Sequence, residues 1–243
     1  MPGDSPVLIV SALPEELAAI SARARELRFG TDHSGRGRLG SAAVVIAATG
    51  DGGARASRRA GELCDAHRPS LLLGAGVAGA LSEELAVGEM VASRSVRDAE
   101  GAAPPPDPRL LARALTIPGV RGVTLVSVAR PAVTRSEKAR LEEAAGGAPA
   151  AVDMESAAWA REAARRGIPY LVLRAISDAA ADELPGYLSD CMDAQGSIRR
   201  SSVVGRALAH PSSIPVLLRM RRAVLDGSRR LAALLEHFLA EGA

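Results

Sequence analysis

Short, continuous apolar runs alternate with stretches of helical spacing along most of the chain. The apolar runs are rich in Val, Ile and Leu, which predicts buried strands, and the amphipathic stretches predict helices. Predicted strands lie within 7–13, 35–50, 70–76, 88–96, 120–129 and 169–177, and predicted helices cover 14–26, 53–67, 136–146 and 155–167. Strands that alternate with helices are typical of an α/β fold. We therefore expect a single domain over 1–243, with a central mixed sheet flanked by helices.

The last stretch, 211–243, is helical in spacing after its prolines and forms a C-terminal extension. Its apolar residues fall near one face, with arginines opposite. The apolar positions are Leu217, Val224, Leu231, Leu235 and Phe238. One interpretation is a helix packed on the sheet. The other is a basic amphipathic surface that faces lipid, which implies a peripheral membrane contact.

Composition excludes several classes of protein. Hydrophobic residues make up 47% and charged residues 24% of the 243, an ordinary globular balance. Net charge is only +2, and no basic block alternates with aromatics, so nucleic acid is not an expected partner. Cys64 and Cys191 form no CxxC pair, and the four histidines are scattered, so a metal site is not expected. With no signal peptide or transmembrane run in view, we expect a cytoplasmic protein.

The stretch "GAGVAG" (74–79) follows a predicted strand and fits the dinucleotide fingerprint G-x-G-x-x-G. That fingerprint requires a crossover helix before the next strand. Only "ALSEELAV" (80–87) is available here, which is too short. We therefore expect no nicotinamide or flavin cofactor, and interpret the stretch as a glycine loop whose backbone amides approach a ligand.

Acidic residues lie at three points where an apolar stretch ends. They are Glu15 and Glu16, Asp153 and Glu155, and Asp178 next to Ser177. Each group has a structural alternative, because acids also stabilise helix N-termini. Open α/β sheets bind ligands at the carboxyl ends of their strands, so three such groups together favour a ligand site.

Four motifs then resemble one family. "SALPEE" (11–16), "LLLGAGVAGAL" with "VGEMV" (71–91), "AVDMESAAWA" (151–160) and "GIPYLVLRAISDAA" (167–180) occur in the order of the purine nucleoside phosphorylase and nucleosidase superfamily. The resemblance covers roughly residues 7–182. The members of the superfamily that the chain resembles include the methylthioadenosine/S-adenosylhomocysteine nucleosidases. The resemblance implies the nucleoside phosphorylase-like fold and cleavage of an N-glycosidic bond.

The tail resembles the hopanoid-associated phosphorylase branch, which is thought to remove adenine from adenosylhopane. The similar segments are "ELP" (183–185), "DAQG" (193–196) and "HPSSIPVLL" (210–218). This resemblance rests on the spacing of these segments and on the chemical character of their residues. It implies an adenine nucleoside with a large apolar 5′ substituent as the substrate.

The resemblance also implies roles for single residues. Asp178 would protonate or hydrogen-bond N7 of the purine with support from Ser177, and Glu16 would orient or deprotonate an attacking water. Glu155 would accept the ribose hydroxyls, because a carboxylate accepts hydrogen bonds from a vicinal diol well. Met154 would pack beneath the sugar.

Further positions follow by the same resemblance. Gly76 and Val77 would contact the ligand, with Val77 where many relatives carry a hydroxyl near the nucleophile. Arg174 would pair with a nearby acid at the substrate site, and Asp153 would belong to the scaffold. The residues that recognise the base would lie around 128–133. Water and phosphate both remain open as the nucleophile, so phosphate is the one co-substrate considered and no other cofactor is expected.

Three functions are consistent with these residues. The first is release of adenine from adenosylhopane in hopanoid biosynthesis, by phosphorolysis or hydrolysis. The second is a methylthioadenosine/S-adenosylhomocysteine nucleosidase. The third, from another class, is a nucleoside-binding sensor without catalysis. The resemblance also implies a homodimer.

Overall fold

A mixed ten-stranded sheet forms the centre of the computed structural model, which describes residues 5–193 and 199–240. Most of "DAQG" lies outside the described residues. The strands are β1 (Val7–Ser11), β2 (Arg25–Phe29), β3 (Gly35–Leu39), β4 (Ala42–Ala48), β5 (Leu71–Ala80), β6 (Met90–Asp98), β7 (Gly101–Ala102), β8 (Val120–Ser127), β9 (Ala150–Asp153) and β10 (Tyr170–Asp178). The helices are α1 (Pro14–Arg23), α2 (Gly53–His67), α3 (Pro108–Thr116), α4 (Arg135–Ala145), α5 (Ser156–Arg165), α6 (Tyr187–Asp190), α7 (Arg200–Ala209) and α8 (Ile214–Ala240), with a 3₁₀ turn at Pro211–Ser213. The predicted α/β class is confirmed.

Strand β5 is the hub of the sheet. It pairs in parallel with β1 and β10 and antiparallel with β9. Strands β10, β6, β8 and β9 continue from one to the next, so together with β5 they close a ring. On the other side of β1, β4 leads into the antiparallel strands β3 and β2. The parallel pairing brings the carboxyl ends of β1, β5 and β10 to one edge of the sheet.

Two apolar layers cover the sheet. Helices α2 and α5 pack against each other on one side, and α1 and α8 pack against each other on the other. The helical residues buried in the first layer are Ala56, Ala60, Leu63, Cys64, Ala157, Trp159, Ala160 and Ala163. Those in the second layer are Leu17, Ile20, Ala114, Leu231, Ala232, Leu235, Phe238 and Leu239. The interpretation of the tail as a helix packed on the sheet is confirmed for the second half of α8.

Three expectations are corrected. The helix predicted over 14–26 ends at Arg23, and β2 begins at Arg25. Strand β2 is largely exposed and charged, so it has no apolar alternation to reveal it. The segment 35–50 contains two strands that form a hairpin. The predicted glycine loop at 74–79 is instead strand, since β5 runs on to Ala80.

Within the described residues, no helix has the length and apolar character that crossing a bilayer takes. The short connection between β5 and β6 contains turns, in agreement with the expectation that a crossover helix does not fit there.

Substitution of Gly74 tests the packing of β5. A Cβ there would lie 2.7 Å from Trp159 Cε3 and 3.0 Å from Val172 Cγ2. We expect Gly74→Ala to lower the free energy of unfolding by about 1–3 kcal/mol, the usual cost of overpacking a core. Urea unfolding followed by the fluorescence of Trp159, the single tryptophan, measures it. Gly205→Ala in α7 is the control, because its Cβ meets open space and should cost nothing. Equal stability of Gly74→Ala and the parent would contradict the packing.

Candidate active site

A cavity of about 280 Å³ opens at the edge of the sheet where β1, β5 and β10 end. Its polar side chains are mainly carboxylates, and the rest of its wall is largely apolar. The acids that line it are Glu16, Asp51, Asp153, Glu155 and Asp178. Ala12, Leu13, Val77, Ala78, Gly79, Val128, Pro131, Ala132, Val152, Met154, Ser177 and Leu184 complete it. The three acidic groups that the sequence singled out therefore meet in one place.

The carboxylate of Glu16 is buried in the first turn of α1 and is held by three donors. Ser11 Oγ and the Leu13 N–H donate to Oε2 at 2.6 and 3.1 Å, and the Val77 N–H donates to Oε1 at 3.0 Å. The hydrogen bond from Leu13 also caps helix α1. Glu16 therefore stabilises the helix N-terminus and lines the cavity as well. These contacts join the ends of β1, α1 and β5 at one carboxylate.

Arg174 lies behind the acids of β9 and its following turn. Its Nη2 donates to Asp153 Oδ2 at 2.6 Å and lies 3.6 Å from Glu155 Oε2. Asp153 also accepts from Ser127 Oγ at 2.6 Å and from Ser156 Oγ. The expected pairing of Arg174 with an acid is confirmed, and the contacts of Asp153 are those of a buried scaffold.

Glu155 is enclosed at the start of α5, where the Gly52 N–H donates to its Oε1 at 2.9 Å. Burial raises the pKa of Glu155 to about 8. The Arg174 charge and the Gly52 hydrogen bond oppose this rise, while the Asp153 and Glu16 charges add to it. Burial and the two neighbouring carboxylates outweigh the one guanidinium, so the raised pKa favours a protonated Glu155 near neutral pH.

This pKa makes stability depend on pH. The folded state binds a proton at Glu155 between the ordinary Glu pKa, about 4.3, and about 8, whereas the unfolded state has lost it. The free energy of unfolding should therefore fall as pH rises through this window, by up to about 1.4 kcal/mol per pH unit. We expect Glu155→Gln to gain stability relative to the parent between pH 5 and 8, since the amide carries no charge and still accepts from Gly52.

Denaturant unfolding at several pH values measures this difference. Exposed Glu143 on α4 provides the matched control, Glu143→Gln, for which the difference from the parent should not vary with pH. A pH-independent difference for Glu155→Gln would show that burial does not shift this carboxyl.

Asp178, at the end of β10, is paired with a buried lysine. Lys138 Nζ, on α4, donates to Asp178 Oδ2 at 2.6 Å and to the Ala179 carbonyl at 2.7 Å. Ser177 Oγ donates to Asp178 Oδ1 at 2.6 Å. The expected contact of Ser177 with Asp178 is present. Lys138 was not singled out, although it is the only lysine in a chain that otherwise uses arginine, a signal available in the sequence.

Removing the lysine should destabilise the protein. Both partners are nearly fully buried, so Lys138→Met would leave the Asp178 carboxylate without a counter-charge. We expect a loss of about 3–5 kcal/mol in the free energy of unfolding, the usual cost of breaking a buried pair on one side. Chemical denaturation measures it. The double variant Lys138→Met/Asp178→Asn should recover part of the loss, because neither charge remains.

An exposed pair gives the comparison for that experiment. Arg229 and Asp226 form an ion pair at 2.9 Å on the surface of α8, and Arg229→Met should cost at most about 1 kcal/mol. A Lys138→Met variant as stable as Arg229→Met would rule out a stabilising role for the buried lysine.

The remaining predicted positions divide into two sets. Met154 and Val77 line the cavity, as do Val128, Pro131 and Ala132 from the segment expected at the base. Gly76 and Arg174 are not among the described residues that line it. A Cβ on Gly76 would lie 2.4 Å from Arg174 Nη1, so both positions belong to the layer behind the wall.

Leu184 and Asp51 also line the cavity and were not predicted. Leu184 comes from the loop after β10, and Asp51 from the turn after β4, where no apolar or motif signal marks a ligand contact. In the parts of the chain that the structure describes, no three His, Cys, Asp or Glu side chains are grouped as ligands for a metal ion.

Comparison with known proteins identified one matching family and several similar proteins. A family model described as the phosphorylase superfamily matches residues 6–196. The chain is 29% identical over 205 residues to the 5′-methylthioadenosine/S-adenosylhomocysteine nucleosidase of Chromohalobacter salexigens, covering 73% of this chain and 86% of that protein. It is also 29% identical over 200 residues to the protein of the same name from Geobacillus kaustophilus, covering 72% and 85%.

A solved structure has the same fold. The 5′-methylthioadenosine/S-adenosylhomocysteine nucleosidase of Neisseria meningitidis, in complex with methylthio-immucillin-A, aligns with a TM-score of 0.76. The alignment covers 98% of this chain and 99% of that one at 17% identity. The nucleoside phosphorylase-like fold expected from the sequence is confirmed.

Proposed function

We propose that this chain, which belongs to the phosphorylase superfamily, cleaves the N-glycosidic bond of an adenine nucleoside and releases adenine. The convergence of Glu16, Glu155 and Asp178 on one largely apolar cavity is the observation that carries the proposal. Adenine as the leaving base is supported by the names of the relatives, which are methylthioadenosine and S-adenosylhomocysteine nucleosidases. The chain is therefore an N-glycosyl-bond-cleaving enzyme, with an adenine nucleoside as its substrate.

The three acids suit the charges of this reaction. The bond from the anomeric carbon to N9 breaks through an oxocarbenium-like state, so the bonding electrons go to the base. Asp178 passes a proton to N7, which neutralises the departing adenine, and takes that proton from the Lys138 ammonium that donates to its Oδ2. Glu16 takes a proton from the water that forms the new bond to the anomeric carbon. Glu155 loses its proton to solvent as the substrate binds, and the resulting carboxylate accepts hydrogen bonds from the ribose hydroxyls.

Water is the nucleophile that the cavity favours. Phosphate is an anion and is usually held by arginine, lysine or clustered backbone N–H groups. The described residues that line the cavity include five acids and no arginine or lysine. Lys138 and Arg174 are already paired with Asp178 and Asp153 and lie behind the wall. We therefore infer hydrolysis in preference to phosphorolysis.

The substrate that we propose is a lipid-linked adenine nucleoside such as adenosylhopane. The resemblance of the tail supports it, and so does the apolar wall of the cavity, which includes Leu184 of the "ELP" segment. The second candidate is methylthioadenosine or S-adenosylhomocysteine, which the names of the relatives favour. A homodimer is proposed on the resemblance alone.

The decisive experiment follows free adenine. Purified protein is incubated with an adenosylhopane-like lipid, methylthioadenosine and S-adenosylhomocysteine, each with and without phosphate. We expect release without phosphate, with the highest kcat/KM for the lipid-linked nucleoside. A higher kcat/KM for methylthioadenosine would favour the second candidate. No release from any substrate would leave a nucleoside-binding sensor as the function.

The Asp178→Asn variant tests the mechanism in the same assay. Asparagine keeps the shape of the side chain but supplies no acidic proton, so we expect kcat to fall by about 10²–10⁴ while the nucleoside still binds. Calorimetric titration with methylthioadenosine reports the binding. Glu143→Gln, which changes a distant exposed carboxyl, is the control. Full activity of Asp178→Asn would refute the assigned role.

A further inference from the structure

Exposed aliphatic side chains are concentrated on α7 and the first turns of α8. Six large hydrophobic side chains are exposed in the described residues, and four of them lie here. Val204 is 60% exposed and Leu208 74%, while Ile214 is 36% and Leu218 50%. Within each helix the two are four residues apart and share a face. We call these four residues, with Arg221 and Arg222, the tail face.

The same segment is strongly basic. No Asp or Glu occurs from Arg199 to Leu225, and five arginine side chains in this stretch are exposed. Arg221 and Arg222 stand three and four residues after Leu218, so they continue its stripe on α8. Within residues 5–193 and 199–240, neither of these two guanidinium groups makes an ion pair. A face that combines hydrocarbon with uncompensated positive charge complements an anionic lipid surface.

The tail face is connected to the wall of the cavity. Leu184 lines the cavity, and α6 begins three residues later at Tyr187. The Tyr187 ring stacks on His210 with centroids 5.9 Å apart, and its hydroxyl lies 2.7 Å from Ser213 Oγ. These contacts fix the turn between α7 and α8 against the segment that leads to the cavity.

We propose that the tail face docks the enzyme on an anionic phospholipid bilayer. The aliphatic side chains enter the boundary between headgroups and acyl chains, and the arginines lie among the lipid phosphates. A nucleic acid would satisfy the arginines but offers no hydrocarbon for Leu208 and Leu218. The inference rests on the proposed function in one respect, because a nucleoside with a lipid substituent would be taken up from such a surface.

Vesicle co-sedimentation of the full chain tests this proposal. We expect binding to phosphatidylcholine vesicles that contain phosphatidylglycerol, weaker binding to phosphatidylcholine alone, and weakening by added salt. Leu208→Asn and Leu218→Asn should each lower the partition coefficient about tenfold, because each removes a buried aliphatic contact. Arg221→Gln/Arg222→Gln should lower binding only to the anionic vesicles.

Matched controls come from other exposed positions. Val87 is 48% exposed, so Val87→Asn removes an exposed aliphatic group elsewhere. Arg28→Gln/Arg109→Gln removes two exposed charges outside the tail face. Both controls should bind vesicles as the parent does. Equal binding by the tail-face variants and the controls would overturn the proposal, as would no binding of the parent to anionic vesicles.

A second copy of the chain is the competing occupant of this face. If Leu208→Asn/Leu218→Asn changed the mass measured by light scattering, and the parent did not bind vesicles, the face would be a subunit interface. Adenine release from a soluble nucleoside separates this proposal from the proposed function. Tail-face variants should keep that activity. Vesicle binding without adenine release from any substrate would remove the function but leave the docking face.

Discussion

The buried guanidinium of Arg174 is the contact on which the site depends. Carboxylates grouped in a low-dielectric cavity repel each other, and each loses hydration on burial. Arg174 stabilises Asp153 directly at 2.6 Å and lies close to Glu155. Burial raises the pKa of Glu155, and the charges of Asp153 and Glu16 add to the rise because one cation serves several acids. The grouped carboxylates therefore lower the stability of the folded protein. Hydrogen bonds from the substrate hydroxyls would offset part of this loss.

A second buried cation serves the other side of the cavity. Lys138 holds Asp178 through Oδ2, and Ser177 holds Oδ1. The carboxyl is thus oriented by two donors before any base arrives, which reduces the conformational entropy that the Asp178 side chain would lose on binding a purine. The two cations lie behind the acids, which leaves the exposed wall acidic and suits a neutral nucleoside better than a phosphate ion.

The glycines of β5 give room for these groups. A Cβ on Gly74 would meet Trp159, one on Gly76 would meet Arg174 and Glu16, and one on Gly79 would lie 2.9 Å from Asp178 Oδ2. These three glycines give the match to the dinucleotide fingerprint. Each is needed because a side chain from another element lies close to β5 at that position. Glycine is required here for space within a strand, where the sequence suggested a loop.

The local sequence pattern alone predicted much of the secondary structure and the acidic residues of the site. Apolar runs marked β1, β5, β8 and β10 because buried strands need continuous hydrophobic residues, and α2 was predicted over the range observed. The acids after β1, β9 and β10 were identifiable because they interrupt apolar surroundings. Strand β2 was missed because an exposed edge strand carries no such pattern.

Only the tertiary structure decided which charges meet. The pairing of Lys138 with Asp178 joins residues 40 positions apart, and the contact of Gly52 with Glu155 joins residues 103 apart. Such contacts depend on how β5, β9 and β10 pair and on where α4 packs, and sequence spacing does not encode them. The charge state of Glu155 follows from the same packing, because burial and neighbouring charges exist only once the sheet has closed.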